Sequence, residues 1–369
     1  MQYIIEINQD ELIEIIYKYT DKELKSYEII DSSRGKDDIR NIYCLTFKDD
    51  SKLVMKITNN FFTTPEKITG WGRLCNTYNS LGIYCPKIIS TKESTYYIEG
   101  VSATGVNYIL YVEEYKKYKT ICEYIEDECK GNIEKEKTLE LHFKEPVFWN
   151  KVLETIGIVA KQEQDLVSWR LINCLYDTFS EEDGVDENYR HAQIFCDFMR
   201  GLNISDKNLV SEIWKIYVEK RIKFENKYRS LPQAVFQGDL NESNILIDEN
   251  LRFIGLIDFN LSGTEVVLNQ ALYECLYMLN KNELNKLNDK TFKKTCDNIL
   301  MNRLDSIKKY YNFNLEEQES FINLYNIVAP FYPPNICLFI NAIKEGNIQY
   351  VEPIIKWVYY QLTREDLTI

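Results

Sequence analysis

Residues 235–260 read VFQGDLNESNILIDENLRFIGLIDFN. Two apolar runs, Ile245–Ile247 and Phe253–Ile257, flank Asp248-Glu249-Asn250, a turn composition, so the stretch predicts a strand–turn–strand hairpin. Asp239 lies in the loop entering the first strand, Asn244 follows five residues on, and Asp258 comes fourteen further, just past the second strand. A tight hairpin brings Asn244 and Asp258 together, where both can offer oxygen to one hard cation such as Mg²⁺. Asp239 then lies on the approach side, where it can take a proton from an incoming hydroxyl. Gly238 permits unusual backbone geometry just before it. A single Asp in a loop is ordinarily a cap or turn residue. The joint pattern, a proton-accepting carboxylate with an amide and a second carboxylate around Mg²⁺, is what phosphoryl transfer from a nucleoside triphosphate needs.

Upstream, Asp10 to Thr20 reads as a short helix, followed by strand signals at 27–30, 39–47 and 52–58, the last two joined by the turn Lys48-Asp49-Asp50-Ser51. Thr64-Pro65-Glu66 marks a helix start running to about Leu81 and stopping at Gly82. Further strands are expected at 87–90, 95–99 and 108–113. After Tyr115 helical periodicity takes over, with long amphipathic helices expected at 148–175 and 208–228 and a charged surface insertion at 126–137. From Val267 on the chain is helical again, broken at Pro330 and at Pro333-Pro334. This organisation implies an α+β fold of two lobes: a small β-rich N-terminal lobe, residues 1–114, and a larger, mainly helical C-terminal lobe, residues 115–369, carrying the loop, the metal residues and the substrate site.

At 369 residues and 45% hydrophobic composition, a folded protein of two lobes is expected. The formal net charge of −13 argues against nucleic-acid and anionic-membrane partners and suits a cationic small substrate. Ten scattered Cys and two distant His, without a CxxC pair, fit neither a zinc site nor a disulfide framework. Reduced thiols, no basic leader segment and no long apolar run together give the expectation of a cytoplasmic protein.

The segment Gln237-Gly238-Asp239-Leu240-Asn241-Glu242-Ser243-Asn244-Ile245-Leu246 resembles the H-G-D-L-x-x-x-N-I-L loop of the aminoglycoside phosphotransferase and choline kinase group, and Gly255-Leu256-Ile257-Asp258-Phe259 with Ser262-Gly263 resembles that group's metal-binding segment. The resemblance implies a protein-kinase-like fold and a kinase that moves the γ-phosphate of ATP or GTP, with Mg²⁺, to a small-molecule hydroxyl. By match, Asp239 is the catalytic base, and Asn244 and Asp258 are the metal ligands. Lys56, one charge inside the apolar strand Leu53-Val54-Met55-Lys56-Ile57, stands where such a kinase places its phosphate-binding lysine. The connector Tyr111-Val112-Glu113-Glu114-Tyr115 falls where adenine is held, which makes Glu113 and Tyr115 candidate nucleotide contacts. The loop Ser32–Asp38 joins two strands and either covers the phosphates or is an ordinary turn.

Three positions depart from the pattern. The family's His is Gln237, which can also donate and accept hydrogen bonds. The helix after Thr64 offers only Glu66 as an acid to pair with Lys56, so either Glu66 pairs from the first turn or another acid replaces it. The family's supporting Asp after Ser262-Gly263 has no clear counterpart, and Leu268-Asn269-Gln270 is the matching region. These departures motivate the alternative of a nucleotide-binding pseudokinase or regulatory protein without transfer activity. The acidic run Ser180–Glu187 is read as a solvated loop or, less simply, a cation site, and the oligomeric state is left open.

Overall fold

The computed structural model describes residues 3–203 and 207–369. In chain order the elements are α1 (Gln9–Tyr19), β1 (Leu24–Asp31), β2 (Arg40–Phe47), β3 (Lys52–Thr58), α2 (Pro65–Ser80), β4 (Ile88–Ile89), β5 (Ile98–Val101), β6 (Asn107–Glu114), β7 (Lys119–Thr120) and α3 (Ile121–Cys129). There follow α4 (Ile133–Lys144), α5 (Pro146–Ala160), α6 (Glu187–Gly201), α7 (Lys207–Arg229), β8 (Gln233–Phe236), β9 (Ile245–Ile247), β10 (Phe253–Leu256) and β11 (Gly263–Val266). The chain closes with α8 (Val267–Cys275), α9 (Lys290–Lys308), α10 (Leu315–Val328), α11 (Pro333–Lys344) and α12 (Val351–Thr363). Two compact units result: residues 1–140 with 239–260, and residues 141–238 with 261–369. The hairpin of β9 and β10 thus groups with the β-rich N-terminal chain. No helix among the described residues is long and apolar enough to cross a membrane.

In the first unit the main sheet runs β1-β2-β3-β6-β4, with β5 also on β6. Strand β2 alternates buried and half-buried residues along its length, as a strand with one face on the core should. Tyr43, Leu45 and Phe47 of β2, Met55 and Ile57 of β3, and Leu110 and Val112 of β6 join one buried cluster with Leu12, Ile15 and Ile16 of α1. The intervening residues face the other way. Lys56 pairs directly with Tyr111, and Val54 with Glu113, so the period of two sets Lys56, Tyr111 and Glu113 on the face opposite α1. Helix α2 begins as its sequence predicts, with the Thr64 hydroxyl accepting from Lys67 N–H and Pro65 in the first turn.

The hairpin is also as expected: β9 pairs antiparallel with β10, and β7 adds to β9. Gly255 is the point where this hairpin meets Tyr84. Leu256 N–H donates to the Tyr84 carbonyl and Tyr84 N–H to that of Ile254, at 2.9 and 3.0 Å. A Cβ at Gly255 would stand 1.9 Å from the Tyr84 oxygen, so no other residue fits without moving backbone.

In the second unit the helix expected over 148–175 ends at Ala160. The polar run that follows cannot bury a helical face; instead Arg170 bridges to Thr264, and Leu171 N–H donates to the Thr264 carbonyl at 3.2 Å. Strand β11, not anticipated, pairs with β8 and carries Glu265, which is 3% exposed. The Tyr228 hydroxyl and the Val266 N–H both donate to the Glu265 carboxyl. Burial pushes that carboxyl up to about 8, against the pull of those two hydrogen bonds and of Arg170. The charged run at 126–137 forms parts of the mostly exposed α3 and α4. Pro333 opens α11 rather than merely breaking a helix.

Two expected outcomes follow from these packings. Gly255→Ala lowers the unfolding free energy by about 1–3 kcal/mol, the usual cost of overpacking, as measured by denaturant titration. Glu265 is protonated in the fold above its ordinary value of 4.5, so its contribution is complete below that pH and is lost as pH rises toward about 8. Unfolding free energy should therefore fall from pH 5 to pH 8 more steeply in the native chain than in Glu265→Gln, by at most about 1.4 kcal/mol per pH unit.

Candidate active site

The loop from Asp239 to Asn244 closes on itself before entering β9. Asn241 N–H donates to the Asp239 carbonyl (3.0 Å) and Asn244 N–H to the Asn241 carbonyl (2.9 Å). The Asn244 side-chain nitrogen donates to Asp239 twice, to Oδ2 at 2.8 Å and to the carbonyl at 3.1 Å. Asn241 Nδ2 donates to Asp239 Oδ1 at 2.6 Å. Both carboxylate oxygens of Asp239 are thereby fixed. Gly238 has φ +87°, and a Cβ there would lie 2.6 Å from the Leu261 carbonyl oxygen, so the turn into Asp239 requires glycine.

At this same open end of the hairpin, Ile257 N–H donates to the Asn244 backbone carbonyl at 2.9 Å, which sets Asn244 and Asp258 side by side just beyond the paired strands. Asp258 has φ +58°, a left-handed conformation that Asp tolerates better than most residues. Such strain is typical of positions whose side-chain direction matters more than backbone comfort. Asn260 Nδ2 donates to Asp258 Oδ2 at 3.3 Å.

Lys56 meets this end of the hairpin from β3. Its Nζ lies 3.1 Å from Glu113 Oε1 and 3.6 Å from Asp258 Oδ1, and 5.9 Å from the centre of the Tyr111 ring. Burial works against the ammonium, but Glu113, Tyr111 and Asp258 together outweigh it and hold Lys56 well above its ordinary range. Burial also raises the Glu113 carboxyl, against the pull of Lys56. Asp239 is raised too, first by burial and then by the nearby charge of Asp258, while Asn241, Asn244 and Arg34 pull it down. A carboxylate so raised is a better proton acceptor than an exposed one.

The acid left open for Lys56 is therefore Glu113. It comes from the neighbouring strand of the same sheet, not from α2, and it was expected instead at an adenine contact. Helix α2 presents Trp71 and Cys75 to this pocket, which Lys56, Tyr111, Glu113, Asp258 and Phe259 also line. Tyr115, the other expected nucleotide contact, follows β6; it is 39% exposed, with the Lys52 ammonium 5.2 Å from its ring centre. Gln237 is buried, as a bracing residue should be. Asn269 is fully buried, and its Nδ2 donates to the Asn173 carbonyl at 3.0 Å, while Gln270 donates to Glu274 at 3.1 Å. In the acidic run, Asp186 caps α6 and pairs with Arg221, and Asp183 pairs with Arg190 at 2.8 Å, so these two carboxylates already have cations. Sequence reasoning missed Asn241, Trp71 and Asn260. Asn241 stood inside the quoted loop, and Trp71 stood where the missing acid was noted.

The donor set fits a hard cation. The Asn244 nitrogen is committed to Asp239, which leaves its carbonyl oxygen as the end suited to a metal, beside the Asp258 carboxylate. Among the described residues no cluster of three or more His, Cys, Asp or Glu could hold a metal. Two protein oxygens are what Mg²⁺ takes when phosphates and waters complete its shell.

No protein-family model and no curated protein matches the sequence. Solved structures do match in shape. An amicoumacin kinase in complex with AMP-PNP and Ca²⁺ has a TM-score of 0.54 at 12% identity, covering 98% of this chain and 96% of that one. A microcompartment-associated aminopropanol kinase has 0.53 at 10%, covering 95% and 97%. An aminoglycoside phosphotransferase from Alicyclobacillus acidocaldarius has 0.50 at 11%, covering 98% of each chain. The chain has the protein-kinase-like fold of these phosphotransferases, with a β-rich N-terminal lobe and a mainly helical C-terminal one.

Proposed function

We propose that this protein is a small-molecule kinase that moves the γ-phosphate of ATP or GTP to a substrate hydroxyl. The observation that carries the reading is the joint placement of Asp239, Asn244, Asp258 and Lys56, each fixed by hydrogen bonds or ion pairs named above. The fold it shares with the amicoumacin and aminopropanol kinases supports it.

In this reading Asp239 receives the substrate hydroxyl. Asn241 and Asn244 hold both of its oxygens, and its raised basicity lets it take the proton as the oxygen attacks. Asn244 and Asp258 would hold Mg²⁺, which when bound would neutralise phosphate charge. Lys56 turns its ammonium to the nucleotide phosphates, and Glu113 keeps that ammonium oriented. The loop Ser32–Asp38 is folded by the Arg34 N–H donating to the Asp38 carbonyl at 2.9 Å, and Arg34 acts electrostatically on Asp239, which suits a cover over the phosphates. Transfer is direct, with the hydroxyl oxygen replacing the nucleoside diphosphate on phosphorus. A net charge of −13 favours a cationic acceptor.

A coupled assay of nucleoside-diphosphate release over a panel of hydroxyl compounds, with ATP and GTP in parallel, tests the proposal; mass spectrometry of a hit should show one added phosphoryl group. Asp239→Asn should keep nucleotide binding and lose about 10²–10⁴-fold in turnover, the range of a general base. Full activity in that variant would sink the assignment.

A further inference from the structure

The pocket beside Lys56 holds a donor without an acceptor. Trp71 is 1% exposed and lines the pocket with Lys56, Tyr111, Glu113 and Asp258, and its indole Nε1 has no hydrogen-bond partner. An indole nitrogen can only donate, so the unpaired group is a hydrogen-bond donor on a residue that lines a pocket with two carboxylates. Leaving such a group buried and unpaired costs free energy and calls for an explanation in function. The ring itself is held edge-on against Tyr111, with centroids 5.8 Å apart, so packing fixes where the N–H can reach.

The charges in the pocket supply the reason. One ammonium, Lys56, serves two carboxylates, at 3.1 Å for Glu113 and 3.6 Å for Asp258. Any ligand that draws Lys56 toward phosphate, or Asp258 toward a cation, takes the counter-charge away from Glu113. A largely buried carboxylate stripped of its partner is destabilised unless another donor or water receives it. Helix α2 brings no acid to this pocket, so its contribution is the indole.

Resting on the kinase reading above, we infer that Trp71 is a positioning residue: its indole N–H receives the Glu113 carboxylate when nucleotide phosphates engage Lys56. Trp71 touches neither substrate nor phosphate. It lets Lys56 change partners without stranding Glu113, and it thereby raises nucleotide affinity. The empty state keeps Glu113 on Lys56, and the loaded state shares it with Trp71.

A double-mutant cycle on nucleotide affinity tests this, using AMP-PNP with Mg²⁺ and calorimetry on the full chain. Trp71→Phe keeps an aromatic ring and removes the N–H; Glu113→Met removes the acceptor at similar length. The expected result is a loss of about tenfold or more in affinity for Trp71→Phe in the native background and less than about twofold in the Glu113→Met background. Equal losses in both backgrounds overturn the inference while leaving the kinase reading intact. If the native chain binds no nucleotide, the kinase reading fails and this inference with it. Should either variant fold poorly, the ¹⁵N-indole spectrum of the native chain decides: the Trp71 N–H signal should move on adding AMP-PNP and Mg²⁺, and a signal that stays in place contradicts the inference.

Discussion

The Lys56 ammonium, set between Glu113 and Asp258, is the interaction on which the candidate site in the first unit depends. It joins the main sheet to the hairpin sheet. Both sheets are ordinary in themselves: alternation buries Met55, Ile57, Leu110 and Val112 against α1 and leaves Lys56, Tyr111 and Glu113 on the reverse face. What makes the reverse face a candidate site is that the hairpin delivers Asp258 to the same ammonium. The arrangement is thus both a structural tie and a site with more negative than positive charge, suited to a cation.

A second constraint is the hairpin's own geometry. Gly255 lets backbone approach backbone at Tyr84, Gly238 turns the chain into Asp239, and Asp258 takes a left-handed conformation. Each is a local concession that aims an oxygen. Between them the Asn244 side-chain nitrogen donates to Asp239, the candidate base, which leaves the Asn244 side-chain oxygen for the proposed cation. The same residue therefore links the two candidate roles, proton acceptor and metal ligand, across five positions of sequence.

Much of this was legible in residues 235–260, because the loop and hairpin are local: turn composition, apolar runs and the spacing of Asp239, Asn244 and Asp258 all lie within one stretch. Strand β3 and helix α2 were readable for the same reason, from alternation and from the Thr64-Pro65 start. The partner of Lys56 was not. It depends on the register of β3 against β6, a pairing across more than fifty residues that no local pattern encodes. The end of α5 at Ala160 was missed because the following polar run keeps some helical periodicity but pairs with Thr264 instead. The acidic run, read first as a solvated loop and only second as a cation site, has two of its carboxylates held by Arg190 and Arg221, partners that lie outside the run.

Asn244, Asp258 and Lys56 are proposed to form one nucleotide–metal site. The most direct test is calorimetric titration of the full chain with AMP-PNP, with and without Mg²⁺, in the native protein and in Asp258→Asn. The account predicts binding that strengthens with Mg²⁺ in the native chain and loses that dependence in the variant. Nucleotide binding indifferent to Mg²⁺ in both, or no binding at all, would contradict it.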